Sequence, residues 1–398
     1  MLSQRAKSLK PSPTLALNAK AKQLKSEGND VISLSVGEPD WDTYDNVKQA
    51  GVDSIQRGET KYVPSNGTPA LREAIAKQTS DDLGVSYSPD DVTVSVGGKF
   101  VLFSAMQMVL NPGDEVIIPA PYWVSYPTMA ELAGAIPRVV VCDQSVGFKL
   151  TADLLRQNID EKTKLLVLNS PSNPTGLIYT KEELAEIAEV VKEHPQLVVL
   201  SDDIYNRLIL DGSDLAPHIL HVAPELKDRV IVTNGVAKSY SMTGWRVGWA
   251  LGPKEVISAM TKYQSQSVSC TPGFCQAATV AAINDSQDQV KQSVKELIKR
   301  RDLAVSEFNA IPGVKLDQPE GAFYVWPDVS SFFGKSFNGK VIQGSHDFAG
   351  AFLEDQMVAV VPGKDFGLEG YVRVSYALGV DRMQEAFRRF KEFVAKLD

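Results

Sequence analysis

The sequence predicts an α/β protein with a three-layer α/β/α domain around a mostly parallel seven-stranded sheet, together with a smaller α+β domain. About seven apolar, β-branched runs occur between residues 92 and 252, and helical periodicity separates most of them. A long helical stretch at residues 287–309 then precedes a second group of strand-like runs. Strands that alternate with helices pair in parallel, and helices cover both faces of the resulting sheet.

The predicted strands of the large sheet are rich in valine, leucine and isoleucine, and they comprise residues 92–96, 115–119, 138–141, 164–169, 197–202, 229–234 and 245–252. Most of them end in polar or glycine-rich residues. The carboxyl ends of parallel strands meet at one edge of a sheet, where the ligands of such proteins bind. We therefore expect the functional residues at the ends of these strands.

The C-terminal part predicts a second, smaller unit. Its strand-like runs are residues 323–329, 358–363 and 371–377, and its helices are residues 346–356 and 381–396. Residues 287–309 contain no strong helix breaker, so one long helix is expected to connect the two units.

Lys238 is the most informative single residue, in the segment GVAKSYSMTGWRVG at residues 235–248. It follows a strand, small residues surround it, and Arg246 comes eight positions later. An ordinary lysine has a pKa of about 10.4, so a nucleophilic lysine needs desolvation or cationic neighbours. The segment suits a lysine that forms a Schiff base with pyridoxal 5′-phosphate (PLP). A lone lysine after a strand is more often a surface residue, so the assignment depends on the other strand ends.

Three further strand ends carry candidate binding groups. Gly97, Gly98 and Lys99 precede a helical run, so backbone amides at the helix start can face a phosphate. Turn geometry alone also explains a glycine pair, and neither GxGxxG nor GxxxxGK[ST] occurs. Trp123 follows the second strand and can stack on a flat ring or pack as a rim aromatic. Asn173, on a proline-flanked loop, is suited to donating a hydrogen bond to a ring oxygen.

Carboxylate and guanidinium groups complete the candidate site. Asp202 ends a strand and can hold a pyridine nitrogen protonated, although an aspartate there is also a common helix N-cap. Tyr205 follows three residues later and can reach the phenolic side of the same ring. Arg246 offers a forked, permanently charged partner for the phosphate. Arg373, in YVRVSYA, offers the same fork for an α-carboxylate, unless it is an exposed strand arginine.

Together these motifs resemble the class I, aspartate-type PLP-dependent aminotransferases of fold type I. The resemblance covers nearly the whole chain, and besides the lysine segment it rests on KPSPT at Lys10, GEPD at Gly37, TKY at Thr60, GGK at Gly97, PYW at Pro121, NPTG at Asn173, SDDIY at Ser201 and RVSYA at Arg373. It is closest to the bacterial, thermophile-like branch that includes aspartate/prephenate aminotransferases. It implies a large PLP-binding domain of residues 44–290 and a small domain of residues 1–43 and 291–398.

The resemblance also implies a role for each motif residue. Lys238 forms the Schiff base, Asp202 pairs with the pyridine nitrogen, Trp123 stacks on the ring, and Asn173 and Tyr205 contact the ring oxygen. The phosphate is surrounded by Gly98, Lys99 and Arg246, with Tyr62 of the partner subunit in a homodimer. The substrate is bound by Gly37, Trp123, Asn173 and Arg373. One departure is that Gly235 and Ala237 stand where many relatives have phosphate-binding serines.

The implied activity is transamination, most directly from L-aspartate to 2-oxoglutarate, which gives oxaloacetate and L-glutamate. A dicarboxylate needs a cation for its distal end, and Lys99 with Ser12 and Thr14 resembles the set used in this bacterial branch. The alternatives are prephenate amination by glutamate or aspartate, a broader aromatic or alanine-type aminotransferase, or a PLP-dependent lyase or decarboxylase. A nicotinamide dehydrogenase lacks support because GxGxxG is missing.

Composition agrees with a cytoplasmic, metal-free enzyme whose partners are small molecules. A net charge of −8 over 398 residues argues against a nucleic-acid partner, and no apolar run is long enough to span a membrane. The N-terminus lacks the apolar core of a signal peptide. The three cysteines form neither an even disulfide framework nor a metal-binding spacing. His218 and His221 are expected to be ordinary surface residues.

Overall fold

The computed structural model describes residues 1–3, 6–7, 9 and 13–398, except for the side chains of residues 13–16 and 18. The strands in chain order are β1 (Ile32–Ser33), β2 (Val92–Ser95), β3 (Glu115–Ala120), β4 (Ile136–Val141), β5 (Thr163–Asn169), β6 (Val198–Asp202), β7 (Val230–Gly235), β8 (Gly248–Leu251), β9 (Tyr324–Val325), β10 (Ser336–Phe337), β11 (Lys340–Val341), β12 (Val358–Ala359), β13 (Val361–Pro362) and β14 (Val372–Ser375).

The α-helices in chain order are α1 (Pro13–Ser26), α2 (Asp45–Gln56), α3 (Pro69–Leu83), α4 (Gly98–Val109), α5 (Tyr126–Leu132), α6 (Ala152–Asn158), α7 (Lys181–Glu193), α8 (Ile219–Val222), α9 (Lys254–Ser265), α10 (Gly273–Asp285), α11 (Gln287–Asn309), α12 (Ser345–Gln356) and α13 (Val380–Val394). None of the helices among the described residues is long and apolar enough to cross a membrane.

Seven strands form the central sheet in the order β2-β8-β7-β6-β5-β3-β4. The pairs β3/β4, β3/β5, β5/β6 and β6/β7 are parallel, whereas β8 is antiparallel to β2 and to β7. The predicted α/β fold with a mostly parallel seven-stranded sheet is confirmed. The last predicted strand is shorter than expected, because residues 243–245 form a 3-10 turn and Arg246 has a φ of +57°.

Alternate side chains of the central strands pack into cores on opposite faces of the sheet. On β3, Ile117 joins one core, whereas Val116 and Ile118 join the other. This is the two-residue period of a strand that is buried on both sides. Each such side chain contributes about 1.5–3 kcal/mol by its removal from water. The two cores hold the helical layers against the sheet and thereby hold the strand ends in place.

The helix after the Asn173 loop begins at a reciprocal cap. The Thr180 hydroxyl accepts a hydrogen bond from the backbone N–H of Glu183 at 3.2 Å, and the Glu183 carboxylate accepts one from the backbone N–H of Thr180 at 2.8 Å. Such a capping box satisfies two otherwise unpaired donors and contributes about 1 kcal/mol. The cap defines where the loop ends and α7 starts.

The C-terminal part forms a separate three-stranded antiparallel sheet in the order β13-β14-β9. Helix α13 packs against α11 and α12, and its buried Met383, Phe387 and Phe390 follow helical spacing. Residues 358–363 were expected to form one strand, but they divide into β12, which pairs with β1, and β13, which pairs with β14. Helix α11 lies between the two sheets in the chain. The proposed domain limits of 44–290, 1–43 and 291–398 stay a prediction.

Candidate active site

A cavity of about 340 Å³ lies at the carboxyl ends of the central strands. It is lined by ten of the residues singled out in the sequence, namely Gly37, Gly98, Lys99, Trp123, Asn173, Asp202, Tyr205, Lys238, Arg246 and Arg373. Because β8 is antiparallel to its neighbours, its first residue lies at the edge where those strands end. This orientation brings Arg246 to the turn that follows β2.

Lys238 follows β7, and its Nζ donates a hydrogen bond to the carbonyl oxygen of Gly37. Burial lowers the pKa of this amine to about 8, the positive charge of Arg373 adds to the effect, and Glu38 opposes it. A larger fraction of such an amine is deprotonated near neutral pH than of an ordinary lysine. Lys238 is therefore suited to act as a nucleophile and as a base.

Asp202 ends β6 with its carboxylate held in one orientation. Its Oδ2 accepts a hydrogen bond from the Tyr126 hydroxyl at 2.6 Å, and its Oδ1 accepts a weaker one from the backbone N–H of Ile204 at 3.4 Å. Burial raises the pKa of Asp202 to about 6, and the Tyr126 hydrogen bond opposes that rise. The less engaged Oδ1 can pair with a protonated ring nitrogen.

Tyr126 was missed by sequence reasoning. It begins α5, and its ring meets the ring of Trp123 edge to face at 5.4 Å. The only signal in the sequence is its place three residues after Trp123 in PYWVSY. That spacing does not show that its hydroxyl reaches Asp202, which lies on a different strand.

Arg373 on β14 is a buried cation that polar groups orient. Its guanidinium donates to the Asn173 side-chain oxygen at 3.0 Å and to the Ser35 carbonyl oxygen at 2.7 Å. Its Cζ lies 4.5 Å from the ring centre of Tyr324 and 5.1 Å from that of Phe366. Among the described residues no carboxylate forms a salt bridge with Arg373, and its Nε has no hydrogen-bond partner. A buried, uncompensated guanidinium suits an incoming carboxylate.

The turn between β2 and α4 and the Arg246 side chain form one corner of the cavity. Gly97 has a φ of +94°, and a Cβ there would lie 2.6 Å from a terminal nitrogen of Arg246. Glycine therefore allows the guanidinium to approach the start of α4, where the backbone N–H groups of a helix start can bind an anion. Lys99 extends from the same turn, and its Nζ lies 5.0 Å from the Trp123 ring centre. Burial and the nearby Arg246 charge lower the pKa of Lys99.

Packing explains part of the departure at residues 235 and 237. A Cβ at Gly235 would lie 2.9 Å from the Val247 carbonyl oxygen and 3.2 Å from the Gly248 Cα, so a serine does not fit between β7 and β8. Ala237 instead lines the cavity. The two positions, which look equivalent in the sequence, therefore differ in the space around them.

Two further residues that the sequence did not single out connect the predicted ones. The Asn169 side chain donates to the Asp202 carbonyl oxygen at 2.8 Å and accepts from the backbone N–H of Asn173 at 2.9 Å. The Tyr324 hydroxyl lies 2.9 Å from the Tyr205 hydroxyl. Both residues line the cavity. Their roles depend on contacts between distant segments, so no local motif reveals them.

Three predicted residues are not part of this cavity as described. Tyr62 is 92% exposed and does not line it, which is compatible with a site that a second chain completes. Ser12 lies outside the described residues, and so does the side chain of Thr14.

The expectation that His218 and His221 are ordinary surface residues is wrong for His218, which is only 5% exposed. Its Nε2 lies 3.5 Å from the buried carboxylate of Asp203. Its Nδ1 accepts the backbone N–H of Leu220, so its burial follows from its place as the N-cap of α8.

The side chains that line the cavity carry an excess of positive charge. Lys99, Lys238, Arg246 and Arg373 are basic, and Asp202 is the one carboxylate among the described lining residues. No salt bridge compensates these four basic groups within the described part of the chain. Like charges in a low-dielectric cavity repel one another, so the arrangement selects a ligand with more than one anionic group.

Comparison with known proteins gives one family. The family model for class I and II aminotransferases matches residues 29–390. A protein of Rickettsia bellii named as a probable aspartate/prephenate aminotransferase is 46% identical over 398 residues, which cover 100% of both chains. The aspartate aminotransferase of Bacillus sp. (strain YM-2) is 44% identical and covers 99% of both chains.

Solved structures agree with the sequence comparison. The aspartate aminotransferase from Rhizobium meliloti has a TM-score of 0.96 at 43% identity and covers 100% of both chains. The aspartate aminotransferase from Thermus thermophilus with maleate has a TM-score of 0.92 at 40% identity and covers 99% of both chains.

Proposed function

We propose that this chain, which belongs to the class I and II aminotransferase family, transfers the amino group of L-aspartate to 2-oxoglutarate. The products are oxaloacetate and L-glutamate. The relatives named as aspartate aminotransferases, which match nearly the full length of the chain, support this choice of substrate. Prephenate is a second acceptor to consider, because several relatives are named aspartate/prephenate aminotransferases.

The observation that carries the proposal is the set of four basic side chains and one carboxylate around a single cavity. A phosphate group, an α-carboxylate and a distal carboxylate together supply the anionic groups that such a cavity selects. An uncharged ligand would leave the buried guanidinium of Arg373 uncompensated, at a cost of several kcal/mol.

The lining residues fit PLP as the cofactor. Asp202 would hold the ring nitrogen, Trp123 would cover a ring face, and Asn173 and Tyr205 would meet the ring oxygen. Gly98, Lys99 and Arg246 would hold the phosphate, because Gly97 leaves the start of α4 open to an anion. When bound, PLP supplies an aldehyde that takes up an amino group and a protonated ring that withdraws electrons from the substrate Cα.

Lys238 would bind the cofactor covalently through Nζ and, once displaced by the substrate amine, act as a base. The same buried amine then takes the proton from the substrate Cα. Its lowered pKa keeps a share of Nζ free of a proton near neutral pH, as proton abstraction requires. Asp202 keeps its negative charge next to the ring nitrogen, with the Tyr126 hydroxyl holding the carboxylate in place.

Arg373 and Asn173 would bind the substrate α-carboxylate, because the guanidinium is already oriented by the Asn173 and Ser35 oxygens. The Gly37 backbone would contact the same carboxylate. Lys99 would meet the distal carboxylate, with hydrogen bonds from Ser12 and Thr14. The maleate named with the Thermus thermophilus enzyme is itself a dicarboxylate, which agrees with this assignment.

A homodimer with shared sites is part of the proposal. Val52, Ile55 and Tyr62 are large apolar or aromatic side chains that a single chain leaves exposed, and a second chain would cover them. Tyr62 would then reach the phosphate site of the partner subunit. Mixed dimers test this: Tyr62→Phe in one chain should weaken PLP retention in the other chain's site, and an unchanged retention there contradicts it.

A reducing compartment such as the cytoplasm suits the described cysteines, Cys142, Cys270 and Cys275, which form no disulfide.

Absorbance of the purified protein tests the proposal. We expect a visible band of bound PLP that L-aspartate bleaches and 2-oxoglutarate restores, because the two half-reactions run in turn. A band that L-aspartate leaves unchanged would refute the substrate assignment. A lyase or decarboxylase would release product without restoration of the band by a 2-oxo acid, and a protein without any PLP band would refute the cofactor.

A further inference from the structure

We propose that Tyr324 is a positioning residue whose hydroxyl donates to the hydroxyl of Tyr205, so that the Tyr205 proton is directed into the cavity. There it donates to the ring oxygen of the cofactor. This inference rests on the proposed function, because the acceptor is a group of PLP. Tyr324 then acts on the cofactor only through Tyr205.

The two tyrosines come from different sheets. Tyr324 begins β9 of the three-stranded sheet, and Tyr205 follows β6 of the seven-stranded sheet. Both are buried, their hydroxyls are 2.9 Å apart, and their rings meet edge to face at 5.8 Å. Two buried hydroxyls at this distance share one hydrogen bond, so one of the two protons remains for another acceptor.

The position of Arg373 favours the Tyr324 hydroxyl as the donor. Its Cζ lies 4.5 Å from the ring centre of Tyr324, which pairs with Ser375 two residues further along β14. A cation at the face of a phenol stabilises the phenolate and therefore makes the hydroxyl a better donor. Burial raises the pKa of both hydroxyls and Arg373 lowers both, but the pKa of Tyr205 stays well above its ordinary value, so Tyr324 is the more acidic of the two. The favoured hydrogen bond therefore runs from the Tyr324 hydroxyl to the Tyr205 oxygen.

The Gly37 backbone packs close to the Tyr324 hydroxyl. A Cβ at position 37 would lie 2.9 Å from the Tyr324 hydroxyl oxygen. A side chain at position 37 would collide with this hydroxyl, so the close packing of the N-terminal segment depends on the glycine. The hydroxyl therefore has a defined position before any ligand binds.

The arrangement connects the carboxylate subsite with the cofactor ring. A substrate carboxylate at Arg373 compensates the charge that polarises Tyr324, and the hydrogen bond from Tyr324 to Tyr205 weakens. Tyr205 then donates less strongly to the ring oxygen, because neighbouring hydrogen bonds polarise one another. Binding of a carboxylate at Arg373 therefore weakens the hydrogen bond that the ring oxygen receives.

The test is a pH titration of the absorbance of the PLP-loaded enzyme in the Tyr324→Phe variant. A ring oxygen that receives a weaker hydrogen bond holds its proton to a higher pH, so the midpoint should move upward by about half a pH unit. Tyr376→Phe is the matched control. Tyr376 is equally buried and donates to the Ala322 carbonyl oxygen at 3.3 Å, but it does not line the cavity. Its removal should leave the midpoint unchanged.

A double variant shows whether Tyr324 works through Tyr205. Tyr205→Phe should move the midpoint further than Tyr324→Phe, and the double variant should titrate like Tyr205→Phe alone. The proposal is overturned if Tyr324→Phe matches the Tyr376→Phe control, or if its effect persists undiminished in the Tyr205→Phe background. A wild-type enzyme without a titrating cofactor band would instead refute the proposed function.

Substitution of 3-fluorotyrosine at position 324 provides a test that does not remove the hydroxyl. Its phenol is more acidic and donates a stronger hydrogen bond, so the midpoint should move downward. An upward movement or no movement would contradict the proposed direction of donation, even if Tyr324→Phe failed to fold.

Discussion

Gly235→Ser should lower stability, whereas Ala237→Ser should tighten cofactor binding, although both add a hydroxyl close to the proposed phosphate site. At position 235 the new Cβ would lie 2.9 Å from the Val247 carbonyl oxygen and 3.2 Å from the Gly248 Cα. These are backbone atoms of a paired strand and cannot rotate away, so β7 and β8 must separate. Overpacking of this kind costs about 1–3 kcal/mol, and we expect a melting temperature lower by roughly 2 °C for each kcal/mol.

Ala237→Ser should tighten cofactor binding without loss of stability, because Ala237 lines the cavity. A hydrogen bond from a hydroxyl to a phosphate is worth about 1.5–3 kcal/mol. The dissociation constant of PLP should therefore fall by roughly 10- to 150-fold.

Thermal melting of the apoprotein and equilibrium binding of PLP measure the two effects separately. Ala237→Val serves as the control, since it adds side-chain volume at the same position without a hydroxyl. The reasoning is refuted if Gly235→Ser melts like the wild type and binds PLP more tightly, or if Ala237→Ser and Ala237→Val bind PLP equally.

Three further predictions concern charge in the cavity. Asp202→Asn should fold and still bind PLP but lose most of its turnover, because an amide cannot hold the ring nitrogen protonated by charge; near-normal kcat would show that this role is misassigned. Lys99→Ala should lower kcat/KM for L-aspartate by about one to two decades and spare L-alanine; equal losses would place Lys99 at the phosphate alone. The fold lowers the pKa of Lys238 to about 8. Between about pH 8 and the ordinary lysine range the unfolded chain therefore binds more protons than the native protein. The free energy of unfolding consequently rises with pH in that range. Lys238→Met should accordingly melt above the wild-type apoprotein at pH 7 and lose that advantage as the pH approaches 10, whereas a constant difference would contradict the lowered pKa.

The positions of the central strands were predictable because each is a short, nearly continuous apolar run with a polar end. Their spatial order was not, since it depends on pairings between residues far apart in the sequence. The antiparallel orientation of β8 is the clearest case: nothing within residues 245–252 states it, yet it brings Arg246 beside Gly97. The family resemblance predicted that these two residues lie close together, whereas the local sequence did not.

The candidate-site residues likewise fall into a group that the local sequence predicts and a group that depends on contacts between distant segments. Residues inside motifs, such as Lys238 and Asp202, could be singled out because their chemistry and their place after a strand are both visible in the sequence. Tyr126 and Tyr324 were missed because a buried tyrosine reads as a core residue until its hydroxyl partner is known. His218 was misjudged for a related reason, since its burial follows from the helix cap that it forms at α8.

Because the cavity has an excess of basic groups, an anion that binds there neutralises positive charge and should stabilise the fold, whether or not it takes part in the reaction. In the apoprotein the repulsion among these groups opposes folding, and a bound anion removes it. Inorganic phosphate or sulfate at the corner of Arg246 and the start of α4 should therefore raise the melting temperature of the apoprotein and compete with the entry of PLP. The choice of buffer anion should therefore change both the melting temperature of the apoprotein and the rate at which PLP enters it.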